Sequence, residues 1–343
     1  QRYQRKAGVH MATVRTVGAQ GLTAWVLVSC ALGALPLAAL PKQEPVQQAF
    51  NTAMVPQRDP PVVAVLALNA GTETTDFLVP HAVLQRSGVA VVEAVAPHRG
   101  RVDLMPALAV EVQRNLDDFD HLYPEGADYV IVPAMHTDDD PTILAWLRSQ
   151  AEKGARLIGI CSGVRVLGQA GLLDGREFTG HWYARSTLQR RHPVARHRPN
   201  QRYWADGPIV TTTGVTASLP VTLALVEAIG GSAEAGALAQ ALGVQDWSAR
   251  HTSAAFGFSA GGVWTMAWNT LRPWRHERHA IPVAGGTEDI ALAMSADAWS
   301  RTYRSRAVAV TAASAPVVLR SGLRLLPEPP QPGDVPHHEP SAQ

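Results

Sequence analysis

The sequence predicts an α/β domain in which a mostly parallel sheet is sandwiched by helices, with a nucleophile elbow, an N-terminal membrane segment and an irregular C-terminal extension. Three observations predict the core of this fold. The run Val62 to Leu68 is continuously apolar and rich in β-branched residues, as in strands buried on both faces. Strand-like and helix-like segments then alternate at the spacing of βαβ units, which implies parallel strands covered by helices. Finally, the stretch RLIGICSGVRVLGQAGLLDG places Cys161 between an apolar strand and a helical run, with Gly159 and Gly163 flanking it.

The elements follow in chain order. A helix is expected over Asp76 to Arg86, stopped by Ser87-Gly88, and a strand over Val89 to Val95. Tyr129 to Val132 is a strand closed by Pro133, Pro141 to Lys153 a helix stopped at Gly154, and Arg156 to Ile160 another strand. Pro208 to Thr212 is a strand, Val215 to Ile229 a helix ended by Gly230-Gly231, and a helix runs from Ser232 to Leu242. Beyond that point periodicity weakens. Ala307 to Leu326 is extended and β-branched, and the Pro-rich tail 327–343 is expected to be disordered.

With 343 residues and 46% hydrophobic content the chain can bury a full core. Its 30 Lys+Arg against 29 Asp+Glu leave a charge of +1, which shows no domain-wide electrostatic footprint for nucleic acid. The basic stretch from Arg190 to Arg202 is expected to be a solvated surface. No nucleic-acid partner, cofactor or metal is expected.

Residues 21–40, GLTAWVLVSCALGALPLAAL, carry no charge and match the roughly 20 residues of helix a bilayer requires. Arg2, Arg5, Lys6 and Arg15 precede this run while Lys42 alone follows closely, so the bias places 1–20 in the cytoplasm and the rest outside it. The expected organisation is a membrane anchor at 21–40, or an export signal whose cleavage leaves a secreted or periplasmic protein. A linker at 41–60, the α/β domain at 61–231, and an extension at 232–326 packed on or beside it come next. Cys30 lies in the apolar run and is not expected to pair with Cys161.

The turn around Cys161 suits a nucleophile. A strand-to-helix turn exposes the side chain, and a following helix N-terminus favours the thiolate and offers N–H donors to an oxyanion. The alternative is a small buried hydrophobe, the usual state of a free cysteine. His136 with Asp138, Asp139 and Asp140 lacks metal-ligand spacing and is read as a solvated helix start.

ICSG followed by AGLLDGREFTGHW resembles the ThiJ/PfpI family, with its class I glutamine amidotransferase-like fold, and especially the cysteine-bearing domain of AraC-type regulators. The resemblance extends through Trp204-Ala205-Asp206-Gly207 and TTTGVTAS, and LNAGTETTDFLVPHAVLQRSG is similar to the family's first strand-loop-helix. It covers roughly Val62 to Gly231, without a DNA-binding module after it.

That resemblance implies a nucleophile at Cys161, an acidic partner at Asp76 with Glu73 as its substitute, and a histidine at His181. The Asp76 position also suits a helix N-cap, and His181 a packed residue beside Trp182. It implies oxyanion or substrate-binding groups at Ser162, Ala134 and Met135. Here the chain departs from the pattern, with Val132-Pro133-Ala134-Met135 where the family has Pro-Gly-Gly. The implied activity is that of a cysteine-dependent hydrolase, hydratase or lyase on a small electrophile. The alternative is a non-catalytic small-molecule or redox sensor. Nothing marks a peptide groove, and a homodimer is allowed.

Overall fold

The computed structural model describes residues 45–336, apart from 254–259, 272 and 313–314. The anchor expected at 21–40, with Cys30, and the last part of the tail, 337–343, lie outside the described residues. Among the described residues no helix is long and apolar enough to cross a membrane.

The central sheet has seven strands: β1 Val62–Leu66, β2 Val91–Ala96, β3 Arg114–Asn115, β4 Tyr129–Val132, β5 Arg156–Gly159, β6 Tyr203–Asp206 and β7 Ile209–Thr212. Their order is β6-β7-β5-β4-β1-β2-β3. All neighbours run parallel except β6, which returns antiparallel beside β7. The alternation of side chains along a strand divides β1 between two cores. Val63 and Val65 face one cluster with α2 (Thr74–Ser87) and α6 (Ser218–Gly230). Ala64 and Leu66 face the other, with α3 (Leu116–Leu122), α4 (Pro141–Glu152) and α5 (Gly163–Gln169). A strand buried on both faces has no polar alternation to show, and VVAVL shows none.

Helix ends obey local chemistry. Asp140 caps α4 by accepting from the N–H groups of Thr142 and Ile143, and Pro141 occupies the first turn. Gly88 ends α2 with φ of 67°, a left-handed conformation that glycine adopts without a Cβ clash.

The structure corrects the expected boundaries at both ends. Within 41–60, read as a linker, Pro45–Ala53 forms α1, which carries Phe50 into the main core, with Met54 buried beside it. Gln47 bonds the Tyr203 hydroxyl there. The Pro- and Gln-rich composition masked an apolar pair at i, i+4.

The extension is not irregular. After α7 (Ser232–Ala241), strands β8 (Glu277–Pro282) and β9 (Ser305–Val310) pair in parallel and are joined by α8 (Asp289–Ser300), a βαβ unit. Leu292, Ala293 and Ala296 of α8 enter the same core as α2, and Arg324–Leu325 pairs with Ala109–Val112. Nor is 327–336 disordered. Val335–Pro336, β10, pairs with β8, and Arg278 binds both Asp334 at 2.7 Å and Glu328 at 3.0 Å. Charge pairing holds a segment that composition alone reads as unstructured.

Candidate functional site

Cys161 lies two positions after the end of β5 and two before the start of α5, with φ of 54°. Non-glycine residues seldom hold this conformation, and it turns the chain sharply from strand to helix. The surroundings over-determine the turn. The Cys161 N–H donates to Thr212 Oγ1 at 3.0 Å, and Gly163 N–H to Ile160 O at 2.7 Å. A Cβ on Gly163 would lie 2.0 Å from Val132 O, and one on Gly159 2.7 Å from Leu167 Cδ1. Gly163 is therefore required by close backbone approach and not by its own φ, while Gly159 packs tightly against Leu167.

The β1–α2 loop brings two carboxyls to the same sheet edge. Glu73, not Asp76, caps α2: its Oε2 accepts the Asp76 N–H at 2.6 Å and the Thr75 hydroxyl at 2.9 Å. Asp76 is fully buried in the first turn and accepts from Ser218 Oγ at 3.0 Å and from the Ala134 N–H at 3.3 Å. Burial raises the Asp76 carboxyl to about 6, partly offset by those two hydrogen bonds and by Arg301. Burial likewise pushes the Glu73 carboxyl well up, with the Asp76 charge adding to it.

The Cys161 thiol is buried, 6% exposed, and held well above its ordinary range by that burial first and then by the charges of Asp76 and Glu73. The Ser162 N–H and Arg301 pull the other way. This corrects the expectation that the helix N-terminus favours the thiolate. At 7 residues α5 is short, and two carboxyls oppose its dipole. Among the described residues no hydrogen bond joins the sulfur to Asp76, whose oxygens are engaged by Ala134 and Ser218. The coupling of thiol and acid is electrostatic.

The other expected site residues separate. The Ser162 N–H faces the Cys161 sulfur. The Ala134 N–H is held by Asp76 and its carbonyl accepts from Glu73 N–H, so this donor is not open to a substrate oxyanion. Met135 forms a β-bridge with Thr72. His181 is half-buried, accepts the Tyr183 N–H at its Nδ1 and leans on Trp182, with no hydrogen bond to Cys161. Burial and then Arg301 lower its affinity for a proton. It lines a cavity of about 760 Å³ together with Arg301 and Thr213, the residue after the Thr212 that holds Cys161. Cys161 is not among the lining residues.

Arg301 escaped the sequence reading. It ends α8, donates to Glu73 Oε1 and binds Asp297 at 2.6 Å. The only trace in sequence is the i, i+4 spacing of Asp297 and Arg301. The acidic loop after β4 holds no metal arrangement: Asp138 pairs with Arg165 and Arg191, and among the described residues no group of three metal-binding side chains converges.

Residues 62–228 match the model of the DJ-1/PfpI family. The chain is 40% identical over 86 residues to the HTH-type transcriptional regulator CdhR of Pseudomonas aeruginosa, 25% of each chain. It is 36% identical over 102 residues to the HTH-type transcriptional regulator GlxA of Rhizobium meliloti, 30% of this chain and 29% of that one. It is 34% identical over 94 residues to isonitrile hydratase of Pseudomonas putida, 27% of this chain and 40% of the enzyme. The matches thus span from a quarter to two fifths of these relatives' own lengths. A crystal structure of a DJ-1 superfamily protein from Salmonella typhimurium, 21% identical, covers 54% of this chain and 100% of its own with a TM-score of 0.48. Through residues 62–228 the chain belongs to the DJ-1/PfpI family.

Proposed function

We propose that the domain is a cysteine-dependent enzyme that adds water to a small electrophile through a thiol adduct, an isonitrile being the leading class. The observation that carries this reading is the fully buried Asp76 carboxyl, poised at about 6 and electrostatically coupled to the Cys161 thiol. A base near neutrality beside a protonated thiol suits addition across a multiple bond. Asp76 takes the thiol proton as sulfur bonds to the electrophilic carbon, then passes that proton to the substrate. With an isonitrile this gives a thioimidate. Water then adds at that carbon, the C–S bond breaks, the formamide leaves and Cys161 regains its proton.

A second reading is favoured by one observation. The thiol is buried and resists ionisation, as suits a ligand sensor that never turns over, and two of the relatives are regulators. Incubating the full chain with isonitriles, glyoxals and amides separates the two. Formamide release lost in Cys161→Ala supports the enzyme. Binding without release and without a mass adduct on Cys161 supports the sensor.

We also propose that residues 21–40 hold the domain outside the cytoplasm, as an anchor or a cleaved signal, supported by the uncharged run and its flanking basic residues. A reporter active only outside the cytoplasm, fused after Asp59, is expected to give signal. Activity only from a cytoplasmic reporter reverses the topology.

A further inference from the structure

The cavity beside His181 and Arg301 is walled by both the family domain and the extension, since His181 and Arg185 precede residue 228 while His251, Met266, Arg301 and Tyr303 follow it. Its charged groups are unevenly matched. Asp297 is bound by Arg301, which also holds Glu73. Arg185 lines the same cavity, and among the described residues no carboxylate forms an ion pair with its guanidinium. The remaining polar lining is dominated by His181, His197 and His251. Burial, and after it a neighbouring arginine in each case, lowers the affinity of these rings for a proton: Arg301 for His181, Arg185 for His197 and Arg202 for His251. The wall is therefore a positive field with no free acid in it. Aromatic rings of Trp182, Tyr183 and Tyr303 supply the apolar surface beside it.

From this arrangement the geometry points to a small organic acid as the occupant, its carboxylate on Arg185 and its apolar body against the Trp182 and Tyr183 rings. A planar guanidinium receives a carboxylate through two parallel N–H donors, and the rings beside it offer an apolar surface to the rest of the ligand. The inference rests on the proposed site through Arg301, which lines the cavity and holds Glu73, but not on the chemistry of the thiol. If the addition reaction is also correct, the substrate is an electrophile that carries an acid group.

The test uses the full chain in wild-type form and as Cys161→Ser, with phenylacetate, its neutral isostere phenylacetamide and the cation phenethylamine, each titrated by calorimetry. Phenylacetate is expected to bind about tenfold more tightly than phenylacetamide, the scale of one charge-assisted contact, and phenethylamine least tightly. Arg185→Met should remove that preference. The acid-over-amide preference is expected in the Cys161→Ser protein as well, so failure of the thiol chemistry leaves this result standing. Equal affinity for acid and amide overturns the inference. So does a preference that survives Arg185→Met, or no binding by any acid in a series from propionate to phenylacetate.

Discussion

Arg301, at the end of α8, donates to the Glu73 side chain that caps α2, across 228 positions of sequence. One guanidinium thereby ties the extension to the acid loop of the candidate site, with Asp297 fixing its orientation from one turn earlier. Arg301→Met leaves Glu73 buried without its cation. Because the arginine side chain is 45% exposed, the pair is partly screened, and the expected loss is about 1–2 kcal/mol in urea unfolding. An unchanged midpoint means the extension docks without this clamp.

The pH dependence of stability follows from Asp76. Its carboxyl titrates at about 6 in the folded protein against an ordinary 3.8, so between these values the folded state binds more protons than the unfolded chain. Stability therefore falls as pH rises from about 4 through about 6, by up to about 3 kcal/mol. The raised Glu73 carboxyl adds in the same direction. Unfolding midpoints from pH 4 to 8 should show this decline in wild type and a shallower one in Asp76→Asn. Equal slopes would place the titration elsewhere.

The turn is tested by a pair of glycines. In Gly163→Ala the new methyl meets Val132 O at 2.0 Å, so backbone must shift, at a cost of about 3 kcal/mol or more. Gly236, inside α7, has open space around it, and Gly236→Ala is expected to stabilise by up to about 1 kcal/mol. Thermal unfolding of both variants reads the contrast, and equal effects would argue against a close-packed elbow.

What could be read from sequence was what repeats locally. The apolar β1 run and the capped helix after Asp140 each carry their reason within a few neighbours, and the structure has them where expected. Glu73 and Asp76 were visible as a pair, but their division of labour was not. Which one caps α2 depends on a side-chain reach of 2.6 Å that spacing does not encode. Neither the thiol's raised affinity for its proton nor the hold of Asp76 on Ala134 is local, since both depend on burial by distant elements. The βαβ unit was missed because β8 carries Glu277, Arg278 and Pro282, residues that interrupt a strand pattern yet sit in parallel register with β9.

The central claim, that the Asp76 carboxyl is electrostatically coupled to the Cys161 thiol, is tested most directly by the pH dependence of iodoacetamide alkylation at Cys161 in wild type and Asp76→Asn. Burial and the nearby carboxylates should place the wild-type midpoint above the roughly 8.5 of a free cysteine. Removing the Asp76 charge should lower it measurably while the folded signal is retained. A wild-type midpoint at or below that of free cysteine, or the same midpoint in both proteins, would contradict the account.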